Sequence, residues 1–278
     1  MIPRRLRPFA AIVAALGLCA CHEQQPNPGE GHDHTGQDNH QPEFEQVDAP
    51  AHRPALGLMT SLPLYWPLEA EFADLALGNG ESPWQRTLLE RQFELVPLDT
   101  LTPIPALSPD QPETDPLEGL DRLAIIQPRG LSPADNVALD EWVKAGGQLL
   151  IVLDPQLTGH YDLTLGDPRR PVDTALVPPV ITRWGLASVF DPEQDAEVSY
   201  AHLPGGAVPL VMSGGSRVVV VDGGTNGCQT HESRALVRCD NVGEGTVTYL
   251  HDAAVFEHPE LVGENGEAVR ALLDFAFR

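Results

Sequence analysis

The stretch Leu123–Pro155, LAIIQPRGLSPADNVALDEWVKAGGQLLIVLDP, decides the fold. It opens on a short apolar run, Leu123 to Gln127, rich in branched side chains, which reads as a strand. Ser132 followed by Pro133 reads as a helix start, because a hydroxyl accepts a free amide of the first turn and proline arrives with a helical φ. Val137, Leu139, Trp142 and Val143 approximate one apolar face, and Gly146-Gly147 ends the helix in the left-handed conformation. Gln148 to Leu153 is a second apolar run that stops at Asp154-Pro155. Strand, loop, helix, glycine stop and strand make a βαβ unit. Strands that are apolar along their whole length belong to parallel sheets covered on both faces.

Outward from this unit the pattern continues. Upstream, Ala55 to Leu62 reads as a buried strand, Ser82 as the cap of a helix running to Gln92, and Phe93 to Leu98 as a short strand. A Pro- and acid-rich loop, Asp99 to Glu118, leads back to Leu123. Downstream, Val180 to Trp184 looks helical and Leu186 to Phe190 strand-like. Ala207–Met212, Arg217–Asp222, Arg234–Cys239 and Thr246–His251 read as four short strands joined by Gly-rich turns, expected to be antiparallel. Glu264 to Phe277 closes the chain as an amphipathic helix that buries Val269, Leu272, Leu273 and Phe275. The expected fold is therefore α/β: a mostly parallel sheet flanked by helices, extended by C-terminal antiparallel strands. No internal repeat is visible.

The first twenty residues set the expected compartment. Arg4, Arg5 and Arg7 precede the apolar run Phe9–Leu18, which at about ten residues is too short to span ~30 Å of hydrocarbon. Leu18-Cys19-Ala20-Cys21 resembles the lipobox of bacterial lipoproteins, with Cys19 a departure from the usual small residue at that position. The resemblance implies cleavage before Cys21, acylation of that cysteine, and anchoring to a membrane in the bacterial cell envelope, on the periplasmic face of the inner or outer membrane. Residues 1–20 are thus a signal peptide, 21–54 a tether and 55–278 the folded body. The tether is rich in Pro, Gly, Gln, Asn and acids and has too little apolar content to repay the entropy of folding. Its His32 and His34 are weak candidates for binding a divalent metal, without a preformed site.

Charge excludes some partners. The 278 residues carry −23 at neutral pH. Residues 1–20 hold three of the 17 Lys+Arg and none of the 40 acids, so the chain without them carries −26. Lys144 is the single lysine. Such a surface argues against nucleic acid and against lying flat on anionic headgroups.

Beyond the leader and Cys21, two cysteines remain, Cys228 and Cys239. In an oxidising compartment they read as a disulfide stapling a loop to a strand, worth about 2–3 kcal/mol by chain-entropy arguments. The alternative is a metal site of Cys228, His231 and Cys239, for which no fourth ligand is obvious.

Chemical motifs are scarce. No Gly-x-Ser-x-Gly elbow, phosphate-cradling glycine loop or His-x-x-x-His pair occurs, and no cofactor is expected. In an open α/β sheet a ligand sits beyond the carboxyl ends of the parallel strands. That places Thr60, Ser61, Gln127, Arg129, Asp154 and Asp252 on one candidate rim, with Arg129 its one cation. The bland alternative is that Asp154-Pro155 and Arg129 shape turns and share a salt bridge. His160, Tyr161 and His251 lie nearby.

The same stretch, Leu123–Pro155, resembles the gliding-motility-type auxiliary proteins of ABC transporters. Arg183-Trp184-Gly185-Leu186, the ending Gly243-x-Gly245-Thr246-Val247-Thr248-Tyr249-Leu250-His251-Asp252, and Asn265 with the last helix extend the likeness over most of 55–278. The resemblance implies a fold similar to class I glutamine amidotransferases. Pro128-Arg129-Gly130 follows the strand where such an enzyme would carry its nucleophilic cysteine, so covalent amidotransferase chemistry is not expected. Many members of that family carry transmembrane helices, which this chain lacks. The function these readings imply is a non-catalytic accessory or binding component of an ABC transport system, partnered with its membrane subunit. The alternatives are a carboxylate-dependent surface hydrolase and metal capture by the tether.

Overall fold

The computed structural model describes residues 52–68, 82–108, 110–221, 226–231 and 233–278. Cys21, His32, His34 and nearly all of the tether lie outside these residues. Five strands of the body run parallel: β1 (Ala55–Thr60), β2 (Glu94–Pro97), β3 (Arg122–Ile126), β4 (Gln148–Val152) and β11 (Gly245–Leu250). With β10 (Leu236–Val242) and β9 (Cys228–Thr230), both laid on by antiparallel pairing, they form one seven-stranded sheet. Its order is β2-β1-β3-β4-β11-β10-β9. The chain moves outward from β1 to β2 and then back across to β3, so the order reverses between β1 and β3.

Side-chain alternation builds a core on each face. Along β3, Leu123 and Ile125 point to one side and Ala124 and Ile126 to the other. The first face packs under α2 (Pro133–Lys144) and α3 (Pro179–Arg183), through Leu139, Val143, Ile181 and Trp184. The second packs under α1 (Trp84–Glu90) and α5 (Glu267–Ala276), through Leu88, Leu89, Val269 and Leu272. Covering both faces is what requires the continuous apolar runs.

The βαβ unit forms as its sequence predicts. The Ser132 hydroxyl accepts from the Asp135 amide at 3.0 Å, and the Asp135 carboxylate accepts from the Ser132 amide at 3.0 Å, a complete capping box. Gly146 has φ +115° and ends the helix. Val137, expected on the buried face, is 53% exposed. Leu139 and Val143 are the fully buried contacts, with Ala138 and Trp142 partly buried beside them. At the first helix, Pro83 rather than Ser82 is the capping residue, and no side-chain hydrogen bond caps it.

The second half departs further from expectation. Thr246–His251 is not merely antiparallel. β11 pairs antiparallel with β10 but parallel with β4, in register from Thr246 opposite Gln148 to Leu250 opposite Val152. Gly245 permits this insertion: a Cβ there would lie 2.0 Å from the Val143 carbonyl oxygen. Two expected strands stay out of the main sheet. β7 (Gly206–Leu210) pairs with β6 (Ser199–Leu203), a polar strand the periodicity does not reveal, and β8 (Gly215–Val218) pairs with β5 (Leu186–Val189). A short helix α4 (Ala254–Glu257) follows β11.

Cys228 and Cys239 form a disulfide between directly opposed residues of β9 and β10, with Cα atoms 3.8 Å apart. The bridge therefore joins strand to strand and fastens the sheet edge. Both sulfurs being bonded, neither is left to ligate a metal with His231, whose ring packs edge-on to Phe275 at 4.5 Å. Among the described residues no helix is long and apolar enough to cross a membrane.

Candidate functional site

The candidate rim exists as a place, and most of it is buried inside the protein. β1, β3, β4 and β11 end side by side, bringing Thr60, Ser61, Gln127, Asp154 and Asp252 to one end of the sheet. Thr60 Oγ1 accepts from the Leu62 amide at 3.0 Å and so turns the chain after β1. Ser61 Oγ donates to the Gln127 carbonyl at 2.6 Å and accepts from the Val172 amide at 3.2 Å.

Gln127 holds the centre. Its backbone stands at φ +45°, a left-handed conformation that costs a non-glycine residue about 1 kcal/mol or more. The side chain returns that cost. Oε1 accepts from the Asp154 amide at 2.8 Å, while Nε2 donates to the carbonyls of Asp154 at 3.1 Å and Val172 at 2.9 Å. Gln127 has no exposed surface.

The two aspartates behave alike. Asp154 accepts from the amides of Gln156 at 2.8 Å and Ala253 at 2.7 Å. Asp252 accepts from Val211 at 2.6 Å and Ala254 at 2.7 Å. Neither has exposed surface. Burial, with the neighbouring Glu257 charge adding, pushes the Asp154 carboxyl up to about 7 against its two amide donors. Burial, and then the Asp154 charge, raises Asp252 well above the usual carboxylate range. The pair therefore favours holding a proton over carrying two charges.

Glu257, on α4, is the residue that sequence reasoning missed. Its carboxylate accepts from the amides of Thr158 and Gly159, each at 3.1 Å, and from the Tyr161 hydroxyl at 2.7 Å. Burial, then that carboxylate, raises the Tyr161 phenol. No local pattern marks Glu257, because its partners lie about a hundred residues earlier in the chain.

Arg129 is exposed and donates to the carbonyls of Pro168 at 2.5 Å and Arg170 at 3.0 Å. The salt bridge to Asp154 is not formed. Together with Ser61, Gln127 and Glu257, Arg129 fastens the segment 153–178 over the strand ends. His251 lies beneath, its ring hydrogen-bonded to the Ser216 hydroxyl, and burial pushes its pKa down to about 3. The imidazole is neutral at any physiological pH. Both residues are almost fully buried, so the serine is not presented to a substrate.

Chemically, the rim residues are occupied by their own chain. A pair of carboxyls that cleaves a glycosidic bond must flank the bond and leave room for sugar and water. Asp154 and Asp252 instead bind four backbone amides and face no solvent. Among the described residues no group of three or more His, Cys, Asp or Glu is arranged to hold a metal ion.

No family model matches the sequence, and no curated protein does. Among solved structures, an exo-β-1,4-mannosidase, Op5Man5 from Opitutaceae bacterium strain TAV5, aligns over 82% of this chain and 36% of its own at 15% identity and TM-score 0.44. Gan42B, a GH42 β-galactosidase from G. stearothermophilus, aligns over 81% and 30% at 10% identity and TM-score 0.41. The β-galactosidase from Bacillus circulans sp. alkalophilus aligns over 82% and 32% at 9% identity and TM-score 0.41. The chain spans about a third of the length of these proteins, and at such scores the activities in their names stay with them.

Proposed function

We propose that this chain is a lipid-anchored, non-catalytic binding module of the bacterial envelope, held at Cys21, whose partner is the membrane subunit of an ABC transport system. The observation that carries the non-catalytic part is the turn at Gln127. It has the strained strand-end geometry on which enzymes with a fold similar to class I glutamine amidotransferases mount a nucleophile. Here the position holds a buried amide whose donors and acceptor tie down neighbouring loops. A group spent in this way stabilises the end of the sheet and does no chemistry.

The binding part rests on the loops that follow these strands. The segments that leave the carboxyl ends of β1, β2 and β4 expose Trp66, Ile104, Leu107, Leu165, Leu176 and Val177. Leu107 is 102% exposed, Leu165 84% and Leu176 70%. Large apolar side chains held in water on these loops are the surface to which we assign protein docking.

The test is site-specific photo-crosslinking in cells, with the crosslinker placed at Leu107, Leu165 or Leu176. The expected product is a discrete adduct to an integral membrane transport protein, together with an acylated Cys21 by mass spectrometry. Turnover of a glycoside or ester that vanishes in Asp154→Asn at unchanged Tm would instead establish a hydrolase and sink the proposal.

A further inference from the structure

The segment 155–177, fastened over the strand ends, is closed at its neck and braced from within. The Ala175 amide donates to the Asp154 carbonyl at 2.9 Å, and the Leu157 amide to the Asp173 carbonyl at 2.9 Å. Inside the loop, Arg170 donates to the carbonyls of Tyr161 and Leu163, each at 2.9 Å, and pairs with Asp173 at 2.6 Å. Prolines flank it, Pro155 at one end and Pro178-Pro179 at the other. A loop whose ends meet and whose own side chains hold its shape can move as one piece.

Little apolar surface holds it down. Of its side chains only Pro171 and Ala175 are buried, while Leu157 and Tyr161 pack on the core in part. The remaining attachment is polar. Ser61 and Gln127 take the amide and carbonyl of Val172, Arg129 takes two carbonyls, and the Thr158 hydroxyl is hydrogen-bonded to His258 at 2.9 Å. Glu257 contributes most, since its one carboxylate receives two amides and the Tyr161 hydroxyl. The approach there is close: a Cβ on Gly159 would lie 2.6 Å from Glu257 Oε1. Bonds that water can replace give a modest net gain, which suits a reversible closure.

The groups under and around the loop are mostly acids. Asp154 stands at its root, Asp252 and Glu257 follow β11, and Tyr161 feels the charges of both Asp154 and Glu257. Among the described residues neither Asp154 nor Asp252 has an ion-pair partner. The cations nearby are engaged elsewhere: Arg170 with Asp173, Arg169 with Asp167, His258 with Glu260 and Arg129 with carbonyls. His251 is neutral beneath, and His160 and Asp162 face solvent on the loop itself.

We propose that residues 155–177 are a lid worked by protons, shut while an acid beneath it stays protonated and released when Asp154 and Asp252 ionise beside the Glu257 carboxylate. The sign follows from burial. In the closed protein the Asp154 carboxyl is pushed up to about 7; water admitted by opening returns it toward 3.8. Closure is therefore fully favoured below about pH 4 and is lost as pH rises through about 7. Between about pH 5.5 and about pH 8.5 the open-to-closed ratio rises about thirtyfold. Resting on the docking reading above, the consequence is a regulated surface. Leu165, Leu176 and Val177 ride on the lid whereas Trp66, Ile104 and Leu107 do not, so release divides the apolar set and weakens docking as pH rises.

The test places spin labels at Leu165 on the lid and Val137 on α2, 84% and 53% exposed, through keto amino acids that spare the disulfide. The protein is the chain from residue 21 with Cys21→Ser. Double electron–electron resonance should give one distance at about pH 5.5 and a second, distinct population at about pH 8.5, with the circular dichroism spectrum unchanged. Asp154→Asn should cut the rise to less than about threefold. Gly159→Ala, which forces the Glu257 carboxylate off its donors, should populate the second distance at both pH values; it decides the matter together with the unsubstituted chain if Asp154→Asn does not fold. A distance indifferent to pH, a full rise surviving in Asp154→Asn, or a Gly159→Ala lid that stays shut would each overturn the proposal. Crosslinked adducts from a protein whose lid never moves would leave docking standing alone, and a moving lid without adducts would leave the lid.

Discussion

Asp154 shows how one buried carboxyl sets a pH dependence. Its folded pKa, pushed up to about 7, lies above the ordinary value of 3.8. Below about pH 4 the acid is neutral in both states and contributes its full stability. As pH rises toward 7 the unfolded carboxyl ionises first, and folding must then hold a proton or bury a charge, so stability falls. Asp252, raised for the same reasons, acts in the same direction. Asp135 and Asp140 set the opposite limit. Burial opposes their charge, but hydrogen bonds from Ser132, Leu101 and Thr100 in one case, and from Lys144 and Trp184 in the other, outweigh it. Their contribution is lost as pH drops below about 4. Thermal unfolding should therefore show a maximum near pH 4–5 and a decline of about 2–4 kcal/mol toward pH 8. Asp154→Asn keeps one acceptor for two amides, lowering Tm at pH 5 while flattening the decline. An unchanged slope in the variant would mean that the aspartate is ionised in the folded protein. Of this site the sequence shows Gln127, Asp154 and Asp252 as strand-end residues, because strand ends are local. It cannot show that they are sealed, since the sealing groups, Val172, Val211, Ala253 and Glu257, arrive from other elements.

At the scale of elements the same boundary recurs. β3, α2 and β4 are legible because each stop and start is a local signal: a capping box, a glycine turn, a change of hydrophobic period. β11 is legible as a strand, and its hairpin with β10 follows from the Gly-rich turn at 243–245. Its parallel neighbour β4 is not, because that pairing joins residues about a hundred apart and no local chemistry encodes it. β6 escapes notice because only Ala201 and Leu203 of Ser199–Leu203 are buried, too few apolar positions to stand out as an alternation. The edge strand β9 has three residues and leans on the disulfide for its place. Closing this short loop constrains the unfolded chain by about 2–3 kcal/mol. Replacing both Cys228 and Cys239 with Ser should lower the urea midpoint accordingly. Amides of β9 should lose hydrogen-exchange protection first, while those of β3 and β4 keep theirs. A variant that loses protection uniformly across the sheet would show that β9 folds as one unit with the parallel core.

For the whole molecule, charge is the quantity that local reading averages away. The chain without residues 1–20 carries −26, and among the described residues Arg86, Lys144, Arg169, Arg170, Arg183 and Arg238 are held in carboxylate pairs. Folding brings the excess acids together and unfolding lets them separate, so their repulsion favours the unfolded state. Salt acts on two opposed terms. It screens that repulsion, the screening length falling from about 30 Å at 0.01 M to about 8 Å at 0.15 M. It also weakens the surface ion pairs, each worth at most about 1 kcal/mol and most of them less. The repulsion, summed over many like-charged pairs within the longer screening length, should win. Raising NaCl from 10 to 150 mM (about the two lengths just given) should then stabilise the protein by about 1–2 kcal/mol, which for a body of this size is roughly 3–6 °C in Tm. The gain should persist in Asp154→Asn, which removes a carboxyl already buried away from solvent ions, and that separates the global effect from the local one. A Tm that falls with added salt would mean that the carboxylate-paired cations outweigh the crowding of acids.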